Sequence, residues 1–386
     1  MPYITEERRM IQEQAREFTL NEVLPVANKL DPEKGDIPLS LRDKMAELGY
    51  FGILIPEEYG GLGLGCFEYC LVTEELSRGW MSVASIIARG NLLIGAHMMS
   101  EEQKKRYLTR MAKGEFLGAF SMSEPNAGSD IANISCRAKK DGSSYLISGN
   151  KYWCTFADGA DFLIIIARTS EPPPGKRHLG LSMFFVEKKR GELPPGCSGA
   201  PIPKIGYFGW KTWELAFDNF RVDAADMIGE EGQAFYYATS GLETARAHTA
   251  ARAIGLAQGA LDDSIQYAND RRQFGRSISE FQAIRFKIAE MATQIEAARQ
   301  LNYFVCEQID TGQRCDKEAS MAKLFASEMA ERVCSEGLQI HGGAGYTTLH
   351  AVERHWRDAR LTKIFEGTSE IQKRIISDRL LGRGRN

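Results

Sequence analysis

The sequence lacks the features of several functional classes. None of its apolar runs approaches the roughly 20 residues that span a bilayer. Lys and Arg are dispersed and the net charge is −3, which leaves no basic stripe for nucleic acid. The polar N-terminal segment has no apolar signal core, so we expect a cytoplasmic protein, or a mitochondrial-matrix protein if the chain is a processed eukaryotic form. The length and a 43% hydrophobic content predict a globular chain of two or three domains.

The eight cysteines contain no Cys-x-x-Cys pair, and the six histidines show no metal-binding spacing. We therefore expect no metal site and reduced thiols, with Cys66 and Cys70 as packing neighbours one helical turn apart. The glycine-rich loop of residues 56–65 lacks the G-x-G-x-x-G spacing of a dinucleotide-binding turn, and no clear strand precedes it.

Hydrophobic periodicity divides the chain into three parts. Residues 1–118 predict a helical domain, with helices near 5–30, 38–48, 67–78 and 100–113. Residues 119–231 contain short apolar or alternating runs separated by turns, which predicts an antiparallel sheet or barrel. Residues 232–386 return to a helical period and predict a four-helix bundle. Its apolar stripes are Ile254, Leu261, Ile265 and Ala268, then Ile284, Ile288, Met291, Ile295 and Ala298, then Ala322, Phe325, Met329 and Val333.

The segment around Glu366 is the strongest candidate for chemistry. Glu366 follows an Ile-Phe pair and precedes a Gly-Thr-Ser break, and Ser369 and Gln372 have the spacing of a helix capping box. A carboxylate at such a turn with apolar neighbours is expected to have a raised pKa and to act as a general base. The alternative is a surface glutamate beside a helix cap.

Four other segments are candidates for ligand binding. The small-residue loop of residues 119–130 offers amides and hydroxyls, although it also reads as an ordinary turn. Trp153 and Thr155 lie two apart on a predicted strand, so that both would meet a flat cofactor, unless Trp153 is a core residue. Arg271 lies at a break between two helices and suits a phosphate, and residues 339–346 end another helix with three glycines.

Together these segments, in this order and at these separations, resemble the acyl-CoA dehydrogenase family over nearly the whole chain. The resemblance implies a mainly α fold with a central β-barrel domain, between an N-terminal helical domain and a C-terminal four-helix bundle. It implies FAD as cofactor, electron-transfer flavoprotein as electron acceptor, and a homo-oligomer, usually a tetramer.

The resemblance also implies roles for individual residues. It assigns Met122, Ser123, Trp153 and Thr155 to the flavin ring, Ser129 to the flavin and the acyl-CoA entrance, and Thr368 and Glu370 to the adenosine half of FAD. The residues that would reach FAD of a neighbouring subunit are Arg271, Gln273, Phe274, Gln339 and Gly343; the alternative for Arg271 is a helix cap.

For the substrate, the resemblance assigns the pocket wall to residues 86–92, and particularly to Arg89 and Asn91, together with Glu243, Arg246, Phe365 and Gly367. Arg89 either faces the acyl group or extends to solvent or into a structural ion pair. Three departures from the family pattern leave the acyl group open: Cys154-Thr155-Phe156 in the Trp-x-Thr-x motif, Phe365 before Glu366, and bulky Phe208 and Trp210. Trp210 and Phe156 favour a short, branched or alicyclic acyl group, and a dicarboxylic acyl group paired with Arg89 is the alternative.

The predicted reaction is α,β-dehydrogenation of an acyl-CoA to a 2-enoyl-CoA. Glu366 would take the α-proton while its backbone N–H, with an FAD hydroxyl, binds the thioester carbonyl. Some relatives carry the base immediately before the arginine that is Arg246 here, but that position is Ala245, which has no basic group. The alternatives are a flavoprotein oxidase or monooxygenase on the same fold, and a non-catalytic acyl-CoA-binding protein.

Overall fold

A computed structural model describes residues 3–91 and 98–383 of the chain. The N-terminal part is helical, as predicted. Thr5 caps the first helix by accepting a hydrogen bond from the Arg8 N–H, and Ser100 and Gln103 form a capping box on the seventh. The helices are α1 (Glu6–Phe18), α2 (Leu24–Leu30), α3 (Leu39–Glu47), α4 (Cys66–Gly79), α5 (Met81–Ile86), α6 (Ala88–Asn91) and α7 (Glu101–Ala112). Helix α5 was not predicted, and Leu92, part of the predicted pocket wall, lies outside the described residues.

The central part is a sheet of eight strands among the described residues. They are β1 (Gly118–Ser121), β2 (Arg137–Asp141), β3 (Ser144–Thr155), β4 (Phe162–Arg168), β5 (Leu181–Glu187), β6 (Cys197–Pro201), β7 (Thr212–Asp223) and β8 (Met227–Ile228). The order is β6-β7-β3-β2-β4-β5-β8, and β1 pairs in parallel with β4. The predicted barrel is not closed. The edge strands β6 and β8 do not pair with each other; β8 has only two residues, and four of the five residues of β6 are exposed.

The C-terminal part is a helical bundle, as predicted. Its helices are α8 (Ala234–Ser240), α9 (Leu242–Asp270), α10 (Gln282–Asp310), α11 (Asp316–His341), α12 (Val352–Thr362) and α13 (Ser369–Leu380). A two-stranded hairpin, β9 (Arg272–Gln273) and β10 (Arg276–Ser277), joins α9 to α10. Most residues of the predicted stripes are buried or half-buried, but Ile265 and Phe325 are exposed.

Helix α9 also packs tightly on α4, which joins the bundle to the N-terminal helices. A Cβ at Gly255 would lie 2.2 Å from the Glu74 carbonyl oxygen, and one at Gly259 would lie 2.6 Å from the Arg78 carbonyl oxygen. Only glycine permits this approach. The contact fixes α9, which carries much of the candidate site, relative to α4 and α5.

All eight thiols are free and buried. Cys66 and Cys70 are packing neighbours as predicted, with their sulfurs 3.9 Å apart, and Cys306 lies 4.0 Å from Cys66. These three sulfurs also form the one group within the described residues that has the spacing of metal ligands. No helix in the described ranges has both the length and the apolar character needed to cross a membrane.

Candidate active site

Glu366 lies in the turn between α12 and α13. Its φ is +53° and that of Gly367 is +88°, so two consecutive residues adopt left-handed conformations. This conformation is costly for a glutamate, and such strain is common at functional sites. The predicted cap at Ser369 is wrong by one residue. Thr368 caps α13 by accepting from the Ile371 N–H, while the Ser369 hydroxyl donates to Glu328 on α11.

The turn is held by hydrogen bonds from two sides. The Gly367 carbonyl accepts from Lys323 Nζ at 2.6 Å and from Gln372 Nε2 at 3.0 Å. The Ser369 N–H donates to the Lys363 carbonyl at 3.0 Å. Lys323 is fully buried on α11, and this burial lowers its pKa to about 8 although Glu366 opposes the shift. The sequence reasoning missed Lys323, although a single lysine between Ala322 and Leu324 in an apolar stripe was a usable signal.

The Glu366 carboxylate is bound by two residues of α9. Thr249 Oγ1 donates to one carboxylate oxygen, and Arg252 Nη2 donates to the other at 2.6 Å. Arg252 is 1% exposed, and its Nη1 donates to Ser85 Oγ on α5 at 3.0 Å. Its guanidinium carbon also lies 4.7 Å from the centre of the Phe365 ring. Arg252 is therefore a site residue, which the sequence reasoning missed, and its signal was a charge within the run Ala250-Ala-Arg-Ala-Ile254.

The expectation of a raised pKa for Glu366 is wrong. Burial alone would raise it, but the Arg252 charge outweighs burial and holds the pKa of Glu366 at about 2. The Glu366 side chain keeps 35% of its surface exposed, so it is not closed off on every side. Glu366 is thus ionised at neutral pH, which is the state that accepts a proton.

His248 lies one helical turn before Arg252 and adds no charge to the site at neutral pH. Its ring stacks on Tyr69 at 4.9 Å, and its Nε2 lies 3.2 Å from the Ala84 carbonyl oxygen. Burial, reinforced by the Arg252 charge, lowers the pKa of His248 to about 3.

The residues present fit a flavin ring. Lys151 Nζ donates to the Met122 carbonyl and the Tyr152 N–H donates to the Ser123 carbonyl, so the Met122 loop and the Trp153 strand lie side by side. The register of β3 shifts between Lys151 and Cys154, and Trp153 has a φ of +63°. The strand alternation that we assumed therefore fails locally. Cys154 is nevertheless buried, while Trp153 is 57% exposed and Thr155 is half-buried.

Bound FAD would therefore meet an indole, the Thr155 hydroxyl and the backbone of the Met122 loop. Thr155 Oγ1 lies 3.0 Å from Thr212 Oγ1, which fixes that hydroxyl. Ser129 lies exposed at the end of the same loop.

The remaining predicted cofactor residues lie on the surface of the single chain. Phe274 is 92% exposed at the tip of the β9–β10 hairpin with a φ of +51°, and Arg271, Gln273, Gln339 and Glu370 are also exposed. A Cβ at Gly343 would meet nothing within 4 Å. Thr368 acts as the cap described above.

The predicted substrate residues behave differently from one another. Asn91 is fully engaged in the fold, because its side chain bonds to the backbone of Tyr50, Leu54 and Ile87. The assignment of Asn91 to the pocket wall stays a prediction, and its side-chain amide is engaged by the fold. Glu243 accepts from the Cys315 N–H at the start of α11, and Arg246 is buried on α9 with a lowered pKa.

Arg89 forms no ion pair within the described ranges, but its guanidinium carbon lies 5.2 Å from the Trp210 ring centre.

Comparisons with known proteins cover the whole chain. The acyl-CoA dehydrogenase N-terminal, middle and C-terminal domain families match residues 5–115, 119–220 and 232–381. The chain is 42% identical to a (2S)-methylsuccinyl-CoA dehydrogenase of Cereibacter sphaeroides, over 98% of this chain and 70% of the relative. It is 38% identical to a subunit of the caffeyl-CoA reductase–Etf complex of Acetobacterium woodii, over 98% and 99%.

A solved structure shows the same fold. Butyryl-CoA dehydrogenase from Megasphaera elsdenii superposes with a TM-score of 0.91 at 34% identity, covering 98% of this chain and 99% of that one. The fold, the three matching domain families and the identities to these relatives establish that the chain belongs to the acyl-CoA dehydrogenase family and is an FAD-dependent oxidoreductase.

Proposed function

We propose that this enzyme catalyses α,β-dehydrogenation of a compact acyl-CoA thioester with Glu366 as the catalytic base. The observation that supports the proposal best is the position of Glu366: an ionised, partly open carboxylate on a turn that hydrogen bonds hold in place. Bound FAD supplies the acceptor for the hydride that leaves the β-carbon. The α-proton goes to the Glu366 carboxylate.

The backbone beside the base supports the same function. The Glu366 N–H makes no hydrogen bond to the described residues, so it is free to donate to a ligand. A thioester carbonyl that accepts from this N–H brings its acidic α-carbon next to the base. A donor aimed at developing enolate charge is worth about 3–4 kcal/mol.

Arg252 and Thr249 act on the base as positioning residues. They orient the carboxylate and keep it ionised, but the Arg252 charge also lowers its proton affinity. A bound acyl group that covers the open side of Glu366 removes water and raises its proton affinity. Glu366 is thus ionised in the site without substrate and becomes a stronger base when an acyl group is bound.

A row of aromatic rings beside Glu366 favours a compact acyl group. Phe365 lies 5.9 Å from Tyr207, Tyr207 lies 5.2 Å from Trp210, and Trp210 lies 5.8 Å from Phe156. Tyr207, Trp210 and Phe156 are buried. A wall of this kind suits a short, branched or alicyclic group better than a long straight chain.

For the electron acceptor we propose electron-transfer flavoprotein. The relative from Acetobacterium woodii is named as part of a complex with Etf, which supports this choice. That relative is named as a reductase, and the same residues serve the reverse reaction, so the assay is run in both directions.

The Glu366→Gln variant tests the function. It should retain bound FAD and still bind acyl-CoA while losing at least about 1,000-fold in turnover, because the amide takes up no proton. Stopped-flow bleaching of the flavin by short acyl-CoAs measures the loss, and Glu13→Gln, at an exposed position on α1, is the control. Turnover near that of the wild type in Glu366→Gln would overturn the assignment.

The same experiment separates the other classes. Rapid hydrogen peroxide formation in air would favour an oxidase, whereas slow reoxidation favours a dehydrogenase. A bound flavin that no acyl-CoA bleaches would point to a non-catalytic protein.

A further inference from the structure

Arg89 is an arginine whose charge lacks a partner. Its Nε is buried and makes no hydrogen bond, and no carboxylate among the described residues pairs with it. The undescribed segment 92–97 that follows it contains no Asp or Glu. Arg252, Arg299 and Arg357 each bind a carboxylate, whereas Arg42, Arg168, Arg246 and Arg354 are buried without an ion pair to the described residues. Arg89 is half-buried, and its buried Nε–H has no acceptor, so the side chain can bind an anion that is not part of the chain.

Trp210 supplies a second unsatisfied donor beside Arg89. The indole is 4% exposed and its Nε1–H has no acceptor. The Arg89 guanidinium carbon lies 5.2 Å from the centre of the same ring. Two buried donors without an acceptor at one place favour a ligand that carries acceptor oxygens.

These donors lie at the third ring of the aromatic row that begins next to Glu366. The row runs from Phe365 through Tyr207 to Trp210, where Arg89 lies. Burial raises the pKa of Tyr207, and the charges of both Arg252 and Arg89 oppose that shift. Tyr207 therefore lies between the arginine that binds the base and the arginine that has no partner.

The loop that carries Trp210 is held in place before any ligand binds. Lys204 Nζ donates to the carbonyls of Tyr207 and Trp210 at 2.6 and 2.9 Å. Gly209 has a φ of +104°, and a Cβ there would lie 2.9 Å from Cβ of Ser82 on α5. The donors are thus preorganised, which reduces the entropy cost of binding.

We propose that Arg89 and the indole N–H of Trp210 form a subsite for a carboxylate at the end of the acyl group. This inference rests on the proposed function and names its substrate class: CoA thioesters of short dicarboxylic acids. The carboxylate accepts from the Arg89 guanidinium and from Trp210 Nε1, while the α-carbon faces Glu366. Arg252 already binds Glu366, so its guanidinium is not free to bind the substrate carboxylate.

Matched substrates test the subsite. Succinyl-CoA is compared with butyryl-CoA and glutaryl-CoA with valeryl-CoA, since each pair differs only in carboxylate against methyl. We expect the wild type to favour at least one diacid over its partner by about 100-fold in kcat/KM, because a site built for an ionic group rejects analogues that lack it. Arg89→Met should lose about 100-fold on that diacid and improve on the neutral substrate, Arg89→Lys should keep part of the preference, and Trp210→Phe should lose about 10-fold.

Arg42→Met is the matched control. Arg42 also has a buried, unbonded Nε and lies 5.4 Å from the Phe156 ring centre, but the charges of Asp161 and Asp43 act on it. The variant should leave the diacid preference unchanged.

Each other outcome overturns a separate statement. A wild type that prefers the neutral substrate in both pairs overturns the subsite and leaves the proposed function standing. A diacid preference that survives in both Arg89→Met and Trp210→Phe overturns the assignment to these residues. A flavin that none of the four substrates bleaches overturns the proposed function and the inference with it.

Discussion

At the scale of single residues, the site depends on the contact between the Glu366 carboxylate and the Arg252 guanidinium. Glu366 has a low pKa because Arg252 contacts it, although burial by itself acts in the opposite direction. An enzyme with this arrangement has an ionised base over a wide pH range. The cost is a weaker base in the empty site.

Replacing Arg252 should shift the pH dependence of the reaction. In Arg252→Met the pKa of Glu366 rises from about 2 toward or above its ordinary value of 4.5, because burial is no longer opposed by the guanidinium. Since the base acts only when ionised, the variant should lose activity on the acid side at a higher pH than the wild type. Profiles of flavin bleaching against pH measure this shift.

Two further variants separate positioning from folding. Arg252→Lys should restore much of the wild-type profile. Arg299→Met removes another buried arginine–carboxylate pair, with Glu74, and should lower stability without moving the acid limb. An unchanged acid limb in Arg252→Met would show that Arg252 does not set the proton affinity of Glu366.

Local sequence was enough to propose Glu366 but not its environment. The Phe-Glu-Gly-Thr segment marks a turn with a carboxylate, whereas Arg252 lies 114 residues earlier and meets it only through the packing of α9. The environment of Asn91 could not be predicted from the sequence for a similar reason. Its three bonds go to backbone groups of residues that the sequence does not show to be neighbours.

At the scale of elements, α12 supports the aromatic loop through Asp358. Asp358 is fully buried, and its Oδ1 accepts from the Tyr207 N–H at 2.6 Å. Burial raises the pKa of Asp358 to about 7, against the opposing charge of Arg357. The loop that carries Tyr207 and Trp210 is therefore anchored by a carboxyl group that titrates near neutrality.

This anchor predicts a pH-dependent stability. Between the ordinary value of 3.8 and about 7 the folded protein retains a proton that the unfolded chain has lost, so Asp358 reduces the free energy of unfolding as pH rises through this window. The Asp358→Asn variant does not titrate at this position, so its free energy of unfolding does not fall for this reason. Its melting temperature relative to the wild type should therefore increase from pH 5 to pH 8.

Thermal unfolding at the two pH values measures this difference, with Asp218→Asn, at an exposed position on β7, as the control. A melting-temperature difference for Asp358→Asn that stays constant or falls as pH rises would contradict the raised pKa.

Helices were predicted correctly where the hydrophobic periodicity extends over many residues and were missed where it extends over only a few. Helices α9, α10 and α11 have 26 to 29 residues and could be predicted from their apolar stripes. Helix α5 has six residues, too few for a period to appear. The cap at Thr368 was misplaced because neighbouring hydroxyls compete for one role, and the bond from Ser369 to Glu328 decides it.

At the scale of the whole molecule, the single chain exposes large apolar side chains on its bundle. Phe274 is 92% exposed, Phe286 58%, and Ile265 and Phe325 break the buried stripes. Phe274 also has a left-handed backbone at the hairpin tip. Exposed aromatic groups of this kind are typical of an interface, which supports the proposal of a homo-oligomer whose hairpin reaches FAD of another subunit.

The Phe274→Ser variant tests this assembly. It should weaken FAD binding by about tenfold or more and shift the protein toward smaller species, because an aromatic contact at an interface is lost. Light scattering and flavin fluorescence titration measure both effects. Met10→Ser removes an exposed apolar side chain from α1 and should change neither. A monomeric wild type, or unchanged FAD affinity in Phe274→Ser, would refute the proposal.

The order of helices, sheet and helices could be predicted because each part has its own hydrophobic periodicity. Closure of the sheet could not, since it depends on whether edge strands find partners. The two-residue length of β8 is not visible in the alternation of apolar residues.

The way in which the catalytic turn is held also has a dynamic consequence. Both acceptor positions of the Gly367 carbonyl are used, by Lys323 and Gln372, and the Ser369 N–H is bound as well. The backbone of the turn is thus held in place, and any movement of the carboxylate comes from rotation about the Glu366 side-chain bonds. Side-chain rotations at partly exposed positions take picoseconds to nanoseconds, whereas enzymes turn over in about a millisecond to a second. We therefore expect the Glu366 side chain to settle against Arg252 and Thr249 many times within one catalytic cycle.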